Sequence, residues 1–427
     1  MKSERRDGLG RQAQSRIFRD GTYGRRPLVP VDPDLLERKA KRAMSRRAYA
    51  YVAGSAGMER TADANRRAFG DYRIVPRVLR DVEDRDLSVE LFGRRLDSPL
   101  LFSPVGVLEL AHRDADLAVA DAARELGMPM VISTQASTTL EDCASRLDGS
   151  PAWFQLYWSN NDDLVTSLVQ RAETSGCDAI VITLDTHMIG WRPRDLDLGS
   201  LPFARGEGLA QYTSDPVFTR LVEERAARGD DAPKRRPTLA AIRSLLSMSR
   251  KHPGGFWNNL RSPLPRAAVE TFLEVFSRSS LTWDELSFVR ERTKLPIILK
   301  GIMDTEDAHR AVDCGVDGIQ VSNHGGRQID GSFAAIDALP EVAAAVDGRV
   351  PIIFDSGVRT GSDVFTALAL GAKAVAIGRP YVYGMAVAGA EGATEAMRNI
   401  LAELDLTMGL AGCATLADIT SRSIRRC

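Results

Sequence analysis

His324 and Arg327 close the stretch Ile319-Gln320-Val321-Ser322-Asn323-His324-Gly325-Gly326-Arg327-Gln328. A neutral imidazole takes a proton near pH 7, and a guanidinium grips a carboxylate through two parallel hydrogen bonds. The two glycines between them permit tight backbone. The pair points to proton removal from a small organic acid. A structural histidine at a surface turn is the competing reading of these ten residues alone.

The chemistry-bearing residues need elements to hold them. Eight short apolar runs recur along the chain: Leu100–Ser103, Pro129–Ile132, Ala152–Tyr157, Ala179–Leu184, Pro296–Lys300, Gly318–Val321, Val350–Phe354 and Ala374–Ile377. Helix-like segments lie between them, among them Asp114–Leu126, Asp162–Ser175, Asp304–Cys314 and Gly361–Leu370. Each of these four stops at a glycine, as helices commonly do. Near-continuous apolar strands alternating with helices predict a parallel sheet covered on both faces. Eight such units predict an α/β fold, a closed (β/α)8 TIM barrel, with a doubly wound sheet as the alternative. That alternative wants GxGxxG after its first strand, and the sequence has none there. In a barrel, function gathers where strands end. Gln155 and Tyr157, Thr183 and Asp185, Lys300, Ser322 and His324, Asp355, and Gly378-Arg379 all occupy such ends.

Residues 1–95 precede the barrel, which takes 96–427. Pro33–Ala53 reads as helical, holds Tyr49 and Tyr51, and can cap one barrel end. The fourth strand is followed by a long insertion, with 193–265 as a candidate lid or subunit contact. It carries Pro233 and Pro237 and the charged run from Glu223 to Lys234-Arg235-Arg236. Tyr212, Phe256 and Trp257 argue that part of it packs.

The bulk composition excludes several classes. The 427 residues carry 56 basic and 57 acidic side chains, so nothing favours nucleic acid or an anionic membrane as partner. Cys143, Cys177, Cys314, Cys413 and Cys427 are scattered and form no CxxC, so no metal site is expected. No run approaches the roughly 20 apolar residues of a membrane helix. The start, Met1 to Arg6, is charged with no apolar stretch behind it. The expectation is a cytoplasmic protein.

Taken together, the motifs resemble the flavin-mononucleotide-dependent (S)-2-hydroxy acid oxidases and dehydrogenases over most of the chain. Ser322–Gln328 is similar to the segment around that family's catalytic base, and Asp355-Ser356-Gly357-Val358-Arg359 with Gly378-Arg379-Pro380 to its flavin phosphate site. The resemblance implies FMN as cofactor and a small 2-hydroxy acid and O2 as reactants. It implies His324 as general base, taking the C2 hydroxyl proton as hydride leaves, or the C2 proton in a carbanion route. Asp185 would pair with this histidine. Arg192 and Arg327 would clamp the carboxylate, with Arg192 rather than Arg194 selected by spacing from Asp185. Tyr51 and Tyr157 would be the two active-site tyrosines, Tyr51 being preferred to Tyr49. His187 replaces a common proline and would be peripheral. Lys300 would neutralise reduced flavin. Gln155, Thr183 and Ser133 would bond the ring's pyrimidine side, and Pro104, Val105 and Gly106 would lie near N5. Ser322 belongs with this cofactor set. Asp355 would hold ribityl hydroxyls, and Gly357, Arg359, Gly378 and Arg379 the phosphate.

For the oxidative half, Gly106, Leu91–Arg95, Trp153–Trp158, Gly190–Leu196 and Leu201-Pro202-Phe203 resemble lactate 2-monooxygenases. These convert lactate to acetate, carbon dioxide and water. The alternative is an oxidase releasing peroxide, with a membrane-linked dehydrogenase third and a flavin-binding scaffold as the non-enzyme reading. The resemblance also implies a homo-oligomer, a tetramer or octamer.

Overall fold

The computed structural model describes residues 8–228 and 238–427. Met1–Arg6 and the segment holding Pro233, Lys234–Arg236 and Pro237 lie outside the described residues. Eight parallel strands close a barrel. They are β1 (Leu100–Phe102), β2 (Met130–Ser133), β3 (Ala152–Tyr157), β4 (Ala179–Thr183), β5 (Ile297–Ile302), β6 (Gly318–Val321), β7 (Ile352–Phe354) and β8 (Ala374–Ile377). β8 closes onto β1 with Val375 opposite Leu100. The strands are buried almost throughout, which explains their apolar composition.

The four helices read from the sequence form at Ala115–Leu126, Asp162–Thr174, Thr305–Asp313 and Gly361–Ala369. Asn161, Asp304 and Thr360 accept first-turn N–H groups, so the starts of the last three are capped. Gly127, Gly176, Gly315 and Gly371 have φ of +61°, +80°, +74° and +111°, which ends the helices.

Pro33–Ala53 is two helices rather than one. Pro33–Ala43 ends at Met44, which is extended, and Ser45 starts Arg46–Ala53 by accepting from the Ala48 N–H at 3.2 Å. The serine competes for backbone at that point and breaks the helix. The barrel end that is plugged is the N-terminal one. An antiparallel hairpin, Val89–Leu91 with Arg94–Leu96, packs Val89, Leu91 and Leu96 against Leu101, Val131, Trp153 and Ile298. Its turn residue Phe92 lies edge-on to Trp153 at 5.5 Å. Leu91–Arg95 and Trp153 therefore build the barrel floor, far from the strand ends that carry the polar residues.

The described residues of the connection from β4 to β5 are folded. They include Pro216–Arg228, Leu239–Lys251 and Leu264–Val275, and their core holds Tyr212, Phe218 and Phe272, all fully buried. The C-terminal helix Arg379–Ala411 is interrupted at Ala388 and Gly389. Tyr72–Ile74 pairs with Ile424–Arg426, tying the segment before the barrel to the chain's end. Among the described residues, no helix is long and apolar enough to cross a membrane.

Candidate active site

The β-strands deliver their polar ends to one cavity of about 1050 Å³, counted to its open mouth. Tyr51, Pro104, Val105, Gly106, Tyr157, Arg192, Lys300, His324, Arg327, Asp355, Gly357, Arg359, Gly378 and Arg379 line it. Asp185 stands behind His324. Its Oδ1 lies 2.6 Å from His324 Nδ1, and its Oδ2 accepts from Lys300 Nζ at 3.0 Å. Thr186 Oγ1 also donates to Asp185, at 2.7 Å. With Nδ1 turned to the carboxylate, Nε2 is the imidazole nitrogen left for other partners.

The local backbone is built for this meeting. β5 carries an irregularity between Lys300 and Ile302 where it pairs with β6. Gly301 sits there at φ +107°, and a Cβ on it would come within 2.9 Å of Asp185 Cβ. The bulge thus turns Lys300 toward Asp185, and glycine lets the two strand ends approach. His324 itself holds φ +57°, with its N–H donating to Ser322 Oγ at 3.0 Å. A non-glycine residue in this region costs energy and is held by its surroundings.

The electrostatics separate the three groups. Burial alone would raise the Asp185 carboxyl, but the charges of His324 and Lys300 outweigh it and hold it well below the carboxylate range. Burial would likewise lower Lys300, but Asp185 and Asp355 keep it charged. For His324, burial wins: its pKa falls below the ordinary histidine value although Asp185 opposes the fall. Lys300 stays beside Asp185 as a positive partner whichever state His324 is in. Burial also pushes the Tyr157 hydroxyl up to about 12 and raises Tyr51, leaving both protonated at neutral pH.

Four guanidiniums face the cavity and bond to neutral groups. Arg192 donates to the Arg327 carbonyl at 3.2 Å and to Gln328 Oε1 at 2.9 Å. Arg327 donates to the carbonyls of Tyr51 and Gly54, and Arg379 to those of Val52, Gly54 and Gly325. Arg359 Nη1 donates to its neighbour's carbonyl at 2.9 Å. Three of these carbonyls belong to the end of helix Arg46–Ala53, whose C-terminus is the negative pole of its dipole. Burial, reinforced by nearby cations, pulls Arg192 and Arg379 down to about 10. Two cationic clusters without carboxylate partners are suited to two anions.

Behind the cavity, the strand ends hold side-chain donors and acceptors. Ser133 Oγ donates to Gln155 Oε1 at 3.2 Å, while Gln155 Nε2 and Thr183 Oγ1 are buried with no partner among the described residues. Such orphans are costly, and a bound group could relieve these two. Asp355 is fixed by Gln320 and Ser322, each at 2.6 Å. Gly357 has φ +94°, and a Cβ there would strike the Asn65 carbonyl at 2.3 Å. The residues thus fit FMN: Gln155 and Thr183 would meet its ring, Asp355 would hold its ribityl hydroxyls, and Arg359 and Arg379 would hold its phosphate. Ser133, Gln155, Thr183 and Ser322 stand at the strand ends without forming the cavity wall.

Tyr51 is buried with Arg327 over its ring at 5.2 Å, whereas Tyr49 turns away to donate to Glu37 at 2.9 Å. Arg194 pairs with Glu59 rather than facing the cavity, and His187 is exposed. A Cβ on Gly106 would meet Gln135 Cβ at 3.0 Å and its carbonyl oxygen at 3.1 Å. The missing methyl is therefore partly filled by Gln135. Sequence reasoning assigned no role to Thr186, Gln328, Phe203 or Phe276. Gln328 donates to the carbonyls of Asp185 and Met188, at 2.9 and 2.8 Å, and so holds the loop that carries Arg192. It lay in the opening motif, and an amide beside a clamp arginine was the available signal.

The chain is similar to known proteins over most of its length. The FMN-dependent dehydrogenase family matches residues 40–426. An FMN-dependent alpha-hydroxy acid dehydrogenase of Penicillium citrinum is 41% identical over 97% of this chain and 95% of its own. An L-lactate oxidase of Lysinibacillus sphaericus is 40% identical, covering 86% of each chain. A crystal structure of mandelate oxidase, 35% identical, superposes with a TM-score of 0.75 over 93% of this chain and 98% of that one. Two (S)-2-hydroxyacid oxidases of Arabidopsis thaliana, each 34% identical over 92% of this chain and 96% of theirs, are named peroxisomal. They overturn the cytoplasmic expectation, which rested on a charged N-terminus and not on the barrel. The chain belongs to the FMN-dependent dehydrogenase family and is an FMN-dependent oxidoreductase of the 2-hydroxy-acid oxidase and dehydrogenase type.

Proposed function

We propose that the protein oxidises an (S)-2-hydroxy acid with O2, releasing the 2-keto acid and hydrogen peroxide. The observation that carries this reading is His324 held by Asp185 at 2.6 Å in a cavity that also presents Arg192 and Arg327. Arg192 and Arg327 bind the substrate carboxylate, in place of the neutral acceptors they hold now. Tyr51 and Tyr157 remain protonated and donate hydrogen bonds to the bound acid. His324 Nε2 accepts the C2 hydroxyl proton, and Asp185 stabilises the resulting imidazolium. Bound FMN supplies the hydride acceptor. Lys300 places a fixed positive charge at the ring end, and Arg359 and Arg379 hold the phosphate.

The oxidase outcome is supported by relatives named as oxidases, among them the L-lactate oxidase and a 4-hydroxymandelate oxidase of Amycolatopsis orientalis, 38% identical over 89% of this chain. It replaces decarboxylation to acetate as the first reading. Of the segments behind that reading, Leu91–Arg95 and the first residue of Trp153–Trp158 lie in the barrel floor, while Tyr157 lines the cavity. Anaerobic addition of an (S)-2-hydroxy acid should bleach the flavin, and the aerobic reaction should yield peroxide equal to keto acid. No bleaching with any 2-hydroxy acid would end the enzymatic reading. Acetate and carbon dioxide with little peroxide would restore the monooxygenase.

A further inference from the structure

The proposed reaction uses the polar part of the cavity and leaves an apolar wall unassigned. C2 of a 2-hydroxy acid carries four different groups. The carboxylate goes to the two arginines, the hydroxyl to His324 and the hydrogen to the flavin. The side chain needs a fourth surface. The β4–β5 connection supplies one: Ile189, Phe203 and Phe276 all line the cavity.

The two rings come from separate parts of that connection. Phe203 sits in the turn Pro202–Arg205, and Phe276 follows the helix Leu264–Val275, donating its N–H to the Phe272 carbonyl at 3.0 Å. Phe272 lies between them, with its centroid 4.9 Å from Phe203 and 5.3 Å from Phe276. Behind it Tyr212 stands edge-on at 4.9 Å. Phe203 is 4% exposed, and Phe272 and Tyr212 are fully buried. This is a packed aromatic layer with its edge in the cavity, fixed by the insertion's own core.

We infer that Phe203 and Phe276, positioned by Phe272, form the side-chain subsite and select 2-hydroxy acids bearing a bulky apolar group, aromatic in the best case, over lactate. The inference rests on the proposed reaction. A methyl group leaves the rings facing water. A phenyl group covers them and meets them in offset or edge-on contact. One methylene in an apolar pocket changes kcat/KM by roughly 10- to 200-fold, so a phenyl ring has ample leverage.

The test compares kcat/KM of the FMN-loaded enzyme for (S)-3-phenyllactate, (S)-mandelate and L-lactate. At least one aromatic acid should exceed lactate by about tenfold or more. Phe203→Ala should carry that ratio toward one, and Phe203→Leu should restore part of it, with flavin absorbance reporting that each variant is folded and loaded. Should Phe203→Ala fail to load FMN, the ratio in Phe203→Leu decides, and it should fall below the wild-type value. Lactate equal to or better than both aromatic acids would overturn the inference, as would a ratio unmoved in the loaded variants. Failure of every hydroxy acid to bleach the flavin would instead remove the reaction itself.

Discussion

On β3, Trp153 points into the barrel floor, where it meets Phe92 at 5.5 Å and joins a closed apolar cluster with Leu101, Val131 and Ile298. Two residues further on the same strand, Gln155 is just as buried, yet its Nε2 has no partner. The floor has satisfied its packing internally. The opposite end keeps orphaned polar atoms, crowded guanidiniums and a histidine at φ +57°. One set of strands thus carries stability at one end and unfinished chemistry at the other. Unfavourable local features gathered at the C-terminal end are where a ligand's groups would complete the structure.

The largest expected effect breaks the top while sparing the floor. His324→Ala should slow flavin reduction by about 10²- to 10⁴-fold, with FMN still bound and the thermal midpoint little changed. Single-turnover anaerobic spectroscopy measures it. Normal reduction would show that another group takes the proton.

The mirror experiment breaks the floor. Trp153→Ala removes a buried indole and should cost about 3–5 kcal/mol of stability, read from denaturant unfolding of the holoenzyme. Molecules that remain folded and loaded should keep the wild-type kcat/KM. A selective loss of kcat without a loss of stability would mean the two ends are coupled.

A smaller effect sharpens the electrostatics of the top. Burial lowers the His324 pKa from its ordinary value, and a base works only when neutral. Activity should therefore be full at neutral pH and fall as pH drops through a midpoint below about 6.5 in the pH profile of kcat/KM. A midpoint above that value would mean that the attraction of Asp185 outweighs burial. Trp153→Ala should leave the midpoint where it is.

The parts of this contrast differ in how far the sequence reveals them. Strands such as Ala179–Thr183 announce themselves because both faces are buried, and Gly127 or Gly371 marks a helix stop by a backbone conformation few other residues tolerate. His324, Asp185 and Lys300 come together because each stands near the C-terminal end of a barrel strand, so topology alone brings them to one rim. The break at Ser45 depends on a capping bond competing with helix continuation, and a periodic pattern runs through it unchanged. The cradle for Arg327 and Arg379 consists of the carbonyls of Tyr51, Val52 and Gly54, which no side-chain motif encodes. Phe276 meets Phe203 through Phe272, a long-range contact inside an insertion. Leu91–Arg95 shows the converse: a distinctive segment whose physical task is to plug the floor.

The smallest effect tests whether an orphaned atom at the top is a ligand site or a defect. Thr183 Oγ1 is buried at the end of β4 without a partner, a condition that costs about 1–3 kcal/mol when nothing relieves it. Thr183→Val keeps the shape and removes the hydroxyl. In the FMN-free protein it should raise stability by roughly 1 kcal/mol, because the unpaired group is gone. In the presence of FMN it should weaken cofactor binding, measured by flavin fluorescence titration, because the bond that the hydroxyl would make to the ring is lost. The two signs must be opposite if this end is built to be completed by its cofactor. Equal signs, or a variant neutral in both measurements, would place Thr183 with Trp153 as ordinary packing, and the division of the barrel would begin beyond the end of β4.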